Sequence, residues 1–154
     1  MAAPVLATLA LLAVALLVGA TWYEAVVMAP NYERDVPGSL SVARQFLQRT
    51  TPAHYFRVVA PLAQVLTLAT MVVAWNRPGR GNLIVAFGLL IVADVITYTF
   101  HYPRLAQMFN SAEPLEASRV GRATHEWAVG NWVRGVLLIV VFLTLVQGLL
   151  RLAR

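Results

Sequence analysis

The chain has 154 residues, of which 59% are hydrophobic and 12% charged, where a typical soluble domain carries about 25% charged residues. This excludes a disordered chain and a disulfide-stapled secreted module, and the absence of cysteine removes iron–sulfur clusters and thiolate nucleophiles as well. The net charge of +5 comes from twelve arginines and no lysine against seven acids; with most of the surface facing lipid, no broad water-facing patch is left for nucleic acid.

A bilayer core needs about 20 mainly apolar residues per helix. The first such stretch covers about residues 3–29, with Glu24 its one charge. No arginine precedes it and it outruns a usual signal-peptide core, so it reads as a membrane span. Pro30 and Pro37 mark its exit. Ser39 or Ser41 is placed to cap a short amphipathic helix through Phe46 and Leu47, lying at the membrane interface. Thr51-Pro52 reads as an N-cap followed by proline at the first helical position, and opens a second span over about residues 53–75 that holds Arg57. The basic Asn76–Gly81 segment is a tight turn into a third span, about residues 83–102, with Asp94 inside it. The fourth span, about residues 125–150, contains Arg134. Backbone groups in hydrocarbon must pair within their own segment, so the spans are helices. The expected fold is an all-α membrane protein: a single domain over residues 1–154, a four-transmembrane-helix bundle with a helical extension in its long loops. No internal repeat is visible.

The end bearing Arg77, Arg80, Arg151 and Arg154 has no acid, whereas the long connections mix arginine with Glu33, Asp35, Glu113 and Glu116. The positive-inside rule then favours both termini in the cytoplasm of a bacterial inner membrane, although the long loops carry more arginine in total.

A charge near the bilayer centre costs about 2.5 to more than 10 kcal/mol, so such residues are rarely idle. Here they fall at helical spacing toward the long-loop end. Thr21, Glu24, Met28 and Asn31 form one track; His54, Arg57, Pro61 and Gln64 form a second. Asp94, Thr97 or Tyr98, and His101 form a third; Trp127, Asn131 and Arg134 form a fourth. Facing inward, the four would line one polar pocket. Taken singly, the residues have plainer roles: Arg57 and Arg134 can snorkel to headgroups, His125 and the tyrosines suit an interfacial belt, and a polar stripe can simply hold helices together.

Three chemistries fit such a pocket. Glu24, His54 and His101, with Asp94 nearby, are residue types that bind a single Fe, Cu or Zn ion, although no two share one helix at ligand spacing. Alternatively Glu24, Asp94, His54 or His101 acts as a general base with no cofactor, and Arg134 and Asn131 stabilise a developing oxyanion. Two histidines on facing helices can also hold haem, but His54 and His125 lie at the margins of their spans. A non-catalytic alternative is an accessory membrane subunit, alone, as a homo-oligomer or within a larger complex.

The segment Trp127-Ala-Val-Gly-Asn131-Trp-Val-Arg134 resembles the start of the last helix in small four-helix membrane proteins related to anthrone oxygenases. Met28-Ala-Pro30 and Tyr98-Thr-Phe-His101-Tyr-Pro103-Arg-Leu105 are similar to that family's first- and third-helix exits. The chain departs from it at Arg104-Leu105, where asparagine is common, and at Asn131, where the fungal enzymes often have histidine. The resemblance implies cofactor-free oxygenation of a polycyclic phenolic carbanion by dioxygen, with Trp127, Asn131 and Arg134 positioning a lipid-soluble aromatic substrate. Arg57 and Tyr98 join them as candidate substrate contacts from the pocket argument.

Overall fold

The structure is a computed structural model and describes residues 2–109 and 116–153. It contains α1 (Ala2–Glu33), α2 (Gly38–Phe46), α3 (Pro52–Val73), α4 (Arg80–Phe109) and α5 (Ala117–Leu152), with no strand among the described residues. Four of the five are long and apolar enough to cross a membrane, which makes this a multi-pass membrane protein. The long helices form a ring in which α1 and α4 each pack against both α3 and α5. They alternate in direction, so the chain termini and the turn after α3 lie at one end and α2 lies at the other.

Residue size decides which faces meet. α1 is apolar all round, yet Ala3, Ala7, Ala10, Ala13 and Leu17 are buried while Val5, Leu9, Leu12 and Leu16 are exposed. Small side chains let helix backbones approach, and large aliphatic ones are equally at home in lipid. Ala63, Ala86 and Ala93 do the same on α3 and α4. Gly88, small as it is, faces open space instead. The turn closes on Gly79 at φ +94°, where a Cβ would lie 2.8 Å from the Gly148 carbonyl, so both the backbone angle and the contact require glycine.

Three helices run past their expected ends. α1 continues through Pro30 and α4 through Pro103, because each inserts a five-residue π turn just before the proline: Glu24–Met28 and Thr97–His101. A proline in an ordinary helix clashes with the carbonyl four residues back and removes a donor. The wider turn eases that clash, and in both helices the residue after the proline adds a side-chain hydrogen bond to the preceding turn. Asn31 Nδ2 donates to the Val27 carbonyl at 2.7 Å, and Arg104 donates to the Phe100 carbonyl at 2.9 Å, the same position relative to each proline. α5 begins at Ala117, well before residue 125, because Val120, Ala123 and Trp127 pack with Tyr32, Leu40 and Met108 in a second apolar cluster beneath α2.

α2 buries Leu40 and Ala43 on that cluster and exposes Val42 and Phe46, as an interfacial helix should. Its serines do not cap it. Ser39 Oγ donates to the Tyr32 carbonyl at 2.6 Å and Ser41 Oγ to the Pro37 carbonyl at 3.1 Å, so both serve as donors to carbonyls. Of the acids read in the long loops, Glu113 lies outside the described residues.

Candidate functional site

The π turns also reset which side chains point inward. One inserted residue per turn rotates everything that follows it. On α1, Thr21 and Glu24 are buried as the spacing predicts, but beyond the turn Tyr32 takes the inward place and Asn31 faces out. On α4, Thr97 and His101 are buried and Tyr98 is exposed.

Arg134 is the hub. Its Nη2 donates to Glu24 Oε2 at 2.9 Å and to Asn131 Oδ1 at 2.8 Å, and its Nη1 lies 3.5 Å from Thr97 Oγ1. The guanidinium also sits 4.6 Å from the centre of the Phe56 ring. Glu24 and Arg134 are only 6% and 5% exposed, so this is a buried ion pair rather than two groups snorkelling to headgroups. Trp127, Asn131 and Arg134 share the inward face of α5 as their spacing predicts.

The α3 track behaves differently. Phe56, Val59, Ala63 and Thr67 form the buried face, whereas His54, Arg57 and Pro61 are exposed and Gln64 is half-buried. That track lies against the groove beside α4, where it borders two cavities. The larger, about 440 Å³, opens near α2 and has Glu24 and Trp127 in its wall with Tyr32, His54, Arg57, Tyr102, Leu105 and Phe109. The smaller, about 30 Å³, lies deeper, between Arg57, Asp94, Thr97, Tyr98, Arg134 and Thr21. Arg57 and Tyr102 border both, with the Arg57 guanidinium 5.8 Å from the Tyr102 ring centre. Asp94 accepts a short hydrogen bond from Gln64 Nε2.

The metal expectation fails on this geometry. Among the described residues no three His, Asp or Glu side chains gather as a metal site, so Glu24, His54 and His101 do not form one. Two of the three are committed elsewhere. Glu24 is paired with Arg134. His54 Nδ1 accepts from the Thr51 backbone N–H at 3.1 Å, which makes it part of the α3 cap. His101 is 1% exposed, packed between Phe100 and the α5 residue Gly130 with neither ring nitrogen hydrogen-bonded to a side chain, and it lines neither cavity.

His125 is exposed, with Nδ1 2.9 Å from Glu33 Oε1. We expect His125→Gln to change unfolding stability in detergent by no more than about 0.5 kcal/mol, read from thermal melts of the two proteins. A larger loss would place the His125–Glu33 contact among the bonds that hold α1 to α5.

Phe56, Tyr32 and Phe109 escaped the sequence reading. Phe56 and Phe109 look like ordinary lipid-facing aromatics, and Tyr32 turns inward only because of the π turn. Comparison with known proteins finds no matching family model, no matching curated protein and no matching solved structure. The resemblance therefore rests only on the residues quoted for it, the Trp127–Arg134 motif and the Met28–Pro30 and Tyr98–Leu105 segments.

Proposed function

We propose that this protein binds an apolar aromatic molecule in the 440 Å³ cavity and withdraws a proton from it with Glu24, with both chain termini on the cytoplasmic side of a bacterial inner membrane. The observation that carries the reading is a carboxylate in the wall of an aromatic-lined cavity, held in place by a buried arginine. A cavity of several hundred Å³ with apolar walls and a few convergent polar groups is the usual form of a small-molecule site. Tyr32, Phe109 and Trp127 make part of the 440 Å³ cavity's wall aromatic. Glu24 accepts the proton of an acidic C–H or phenol, and Arg57, which borders the same cavity, is the cation placed to stabilise the oxygen anion left on the substrate. The resemblance of the α5 motif extends this to oxygenation, in which the substrate carbanion reacts directly with dioxygen. The acid-free rim at Arg77, Arg80 and Arg151 supports the orientation.

The test uses the full chain in lipid nanodiscs with an anthrone, a tricyclic phenolic ketone, as probe. Anthrone binding and oxygen consumption are expected for the parent protein. Glu24→Gln should keep binding and lose at least about a hundredfold in rate, the usual contribution of a positioned base. A parent protein that binds no anthrone, and that holds a second polypeptide through purification, would instead be an accessory subunit.

A further inference from the structure

At the end of the bundle that carries the chain termini, no acidic side chain balances the arginines. Residues 1–23, 36–93 and 127–154 contain no Asp or Glu. Asp94, the first acid along α4, lies about 20 Å from that helix's start at Arg80 by the helix rise. Arg77 and Arg80 belong to the turn between α3 and α4. Arg151 starts beside it, with its Cβ 3.2 Å from where a Gly79 Cβ would stand. All three arginines are exposed. Arg80 lies over the Trp75 ring, 5.2 Å from its centre, and donates to the Trp75 carbonyl at 3.4 Å. Arg77 and Arg151 make no side-chain hydrogen bond or ion pair among the described residues. An open concavity of about 580 Å³ lies over the turn, walled by residues 75–81.

Arginines without a protein counter-charge attract anions, and the neighbours of this cluster decide which kind. Trp75 is 50% exposed just beyond the end of α3, at the depth where indole rings sit among headgroups. Val72 and Val73 on α3, with Ile84 and Val85 on α4, continue the exposed surface into the span, where acyl chains lie. A soluble anion would meet the arginines alone, whereas a phospholipid meets the arginines with its phosphate and the aliphatic surface with its chains. We propose that the α3–α4 turn binds the headgroup of an anionic phospholipid, one whose phosphate charge is not cancelled by an amine. Arg77 and Arg80 hold the phosphate through charge-assisted hydrogen bonds, and Arg151 adds a third charge from α5. The Trp75 carbonyl takes one N–H of Arg80 and leaves the other donors of the guanidinium for the lipid. This site stands apart from the cavity at Glu24 and does not depend on the reaction proposed there.

Native mass spectrometry of the full chain in a non-ionic detergent tests it, with dioleoyl phosphatidylglycerol, dioleoyl phosphatidylcholine and water-soluble glycerol phosphate as probes. The parent protein should bind the anionic lipid at least about tenfold more tightly than the zwitterionic one. Each arginine near an anionic headgroup strengthens binding about fivefold, so Arg77→Gln with Arg80→Gln should weaken it about 25-fold. Arg77→Gln or Arg151→Gln alone removes no protein contact, keeps the fold, and should weaken it about fivefold. Arg34→Gln with Arg49→Gln takes the same charge from the long-loop end. That pair should leave the affinity within about twofold, because salt screens charges a bundle length away. Glycerol phosphate at the lipid's concentration should not displace it. Equal affinity for the two lipids, or an equal loss from the two double variants, would overturn the site. Displacement by glycerol phosphate would overturn a lipid as its occupant.

Discussion

Replacing Arg134 by methionine should cost about 3–5 kcal/mol of stability, because it leaves Glu24 charged, buried and without its partner. The loss comes mainly from the stranded charge rather than from the value of the bond. A buried ion pair spends most of its attraction on the removal of both groups from water, and swapping the whole pair for apolar side chains is often close to neutral. The double variant Glu24→Met with Arg134→Met should therefore melt above the Arg134→Met single variant. Asn131 Oδ1 and Thr97 Oγ1 would still lose their donor, so full recovery is not expected. Thermal melts in one detergent, arranged as a double-mutant cycle, measure the coupling. Additive losses would mean that the two side chains do not act as a pair.

Gly130→Ala should cost about 1–3 kcal/mol through overpacking, and should lower activity as well. A Cβ at Gly130 would lie 2.6 Å from Phe100 Cε1 and 3.0 Å from His101 Cε1. Phe100 cannot easily give way, because the Arg104 guanidinium is stacked 3.5 Å from its ring centre and is itself held by Glu126 at 2.8 Å. α5 must then move away from α4, and it carries Asn131 and Arg134 with it. Gly121→Ala is the contrasting case: nothing lies within 4 Å of a Cβ there, so the helix should gain about 0.5–1 kcal/mol from the better helix former. The same substitution in one helix should thus act with opposite sign at two positions. If both behave alike, the close approach of α4 and α5 at Gly130 is not tight.

A good part of the site was legible because charged residues are costly in lipid. Glu24, Asp94 and Arg134 stand out in apolar runs, and helical spacing alone puts Trp127, Asn131 and Arg134 on one face. The assignment of His54 and His101 as metal ligands failed for a different reason. A histidine that caps a helix through the Thr51 N–H and one packed against a glycine look the same in sequence as a ligand pair, since partners distant in the chain decide between these roles. The α3 track missed its direction by about one residue. In a helix bathed in lipid, a polar stripe need not face the core, and here it faces the groove beside α4.

Apolar run length by itself determined that the chain forms four spans, because bilayer thickness leaves few other ways to bury such stretches. Proline position could not determine where α1 and α4 end. That depended on two π turns, whose widened geometry eases the clash each proline would make, with the side chains of Asn31 and Arg104 bonded to the turn before them. Which carboxylate meets which arginine was likewise decided only by the folded ring of helices, because Glu24 and Arg134 are 110 residues apart and local spacing carries no information across that distance.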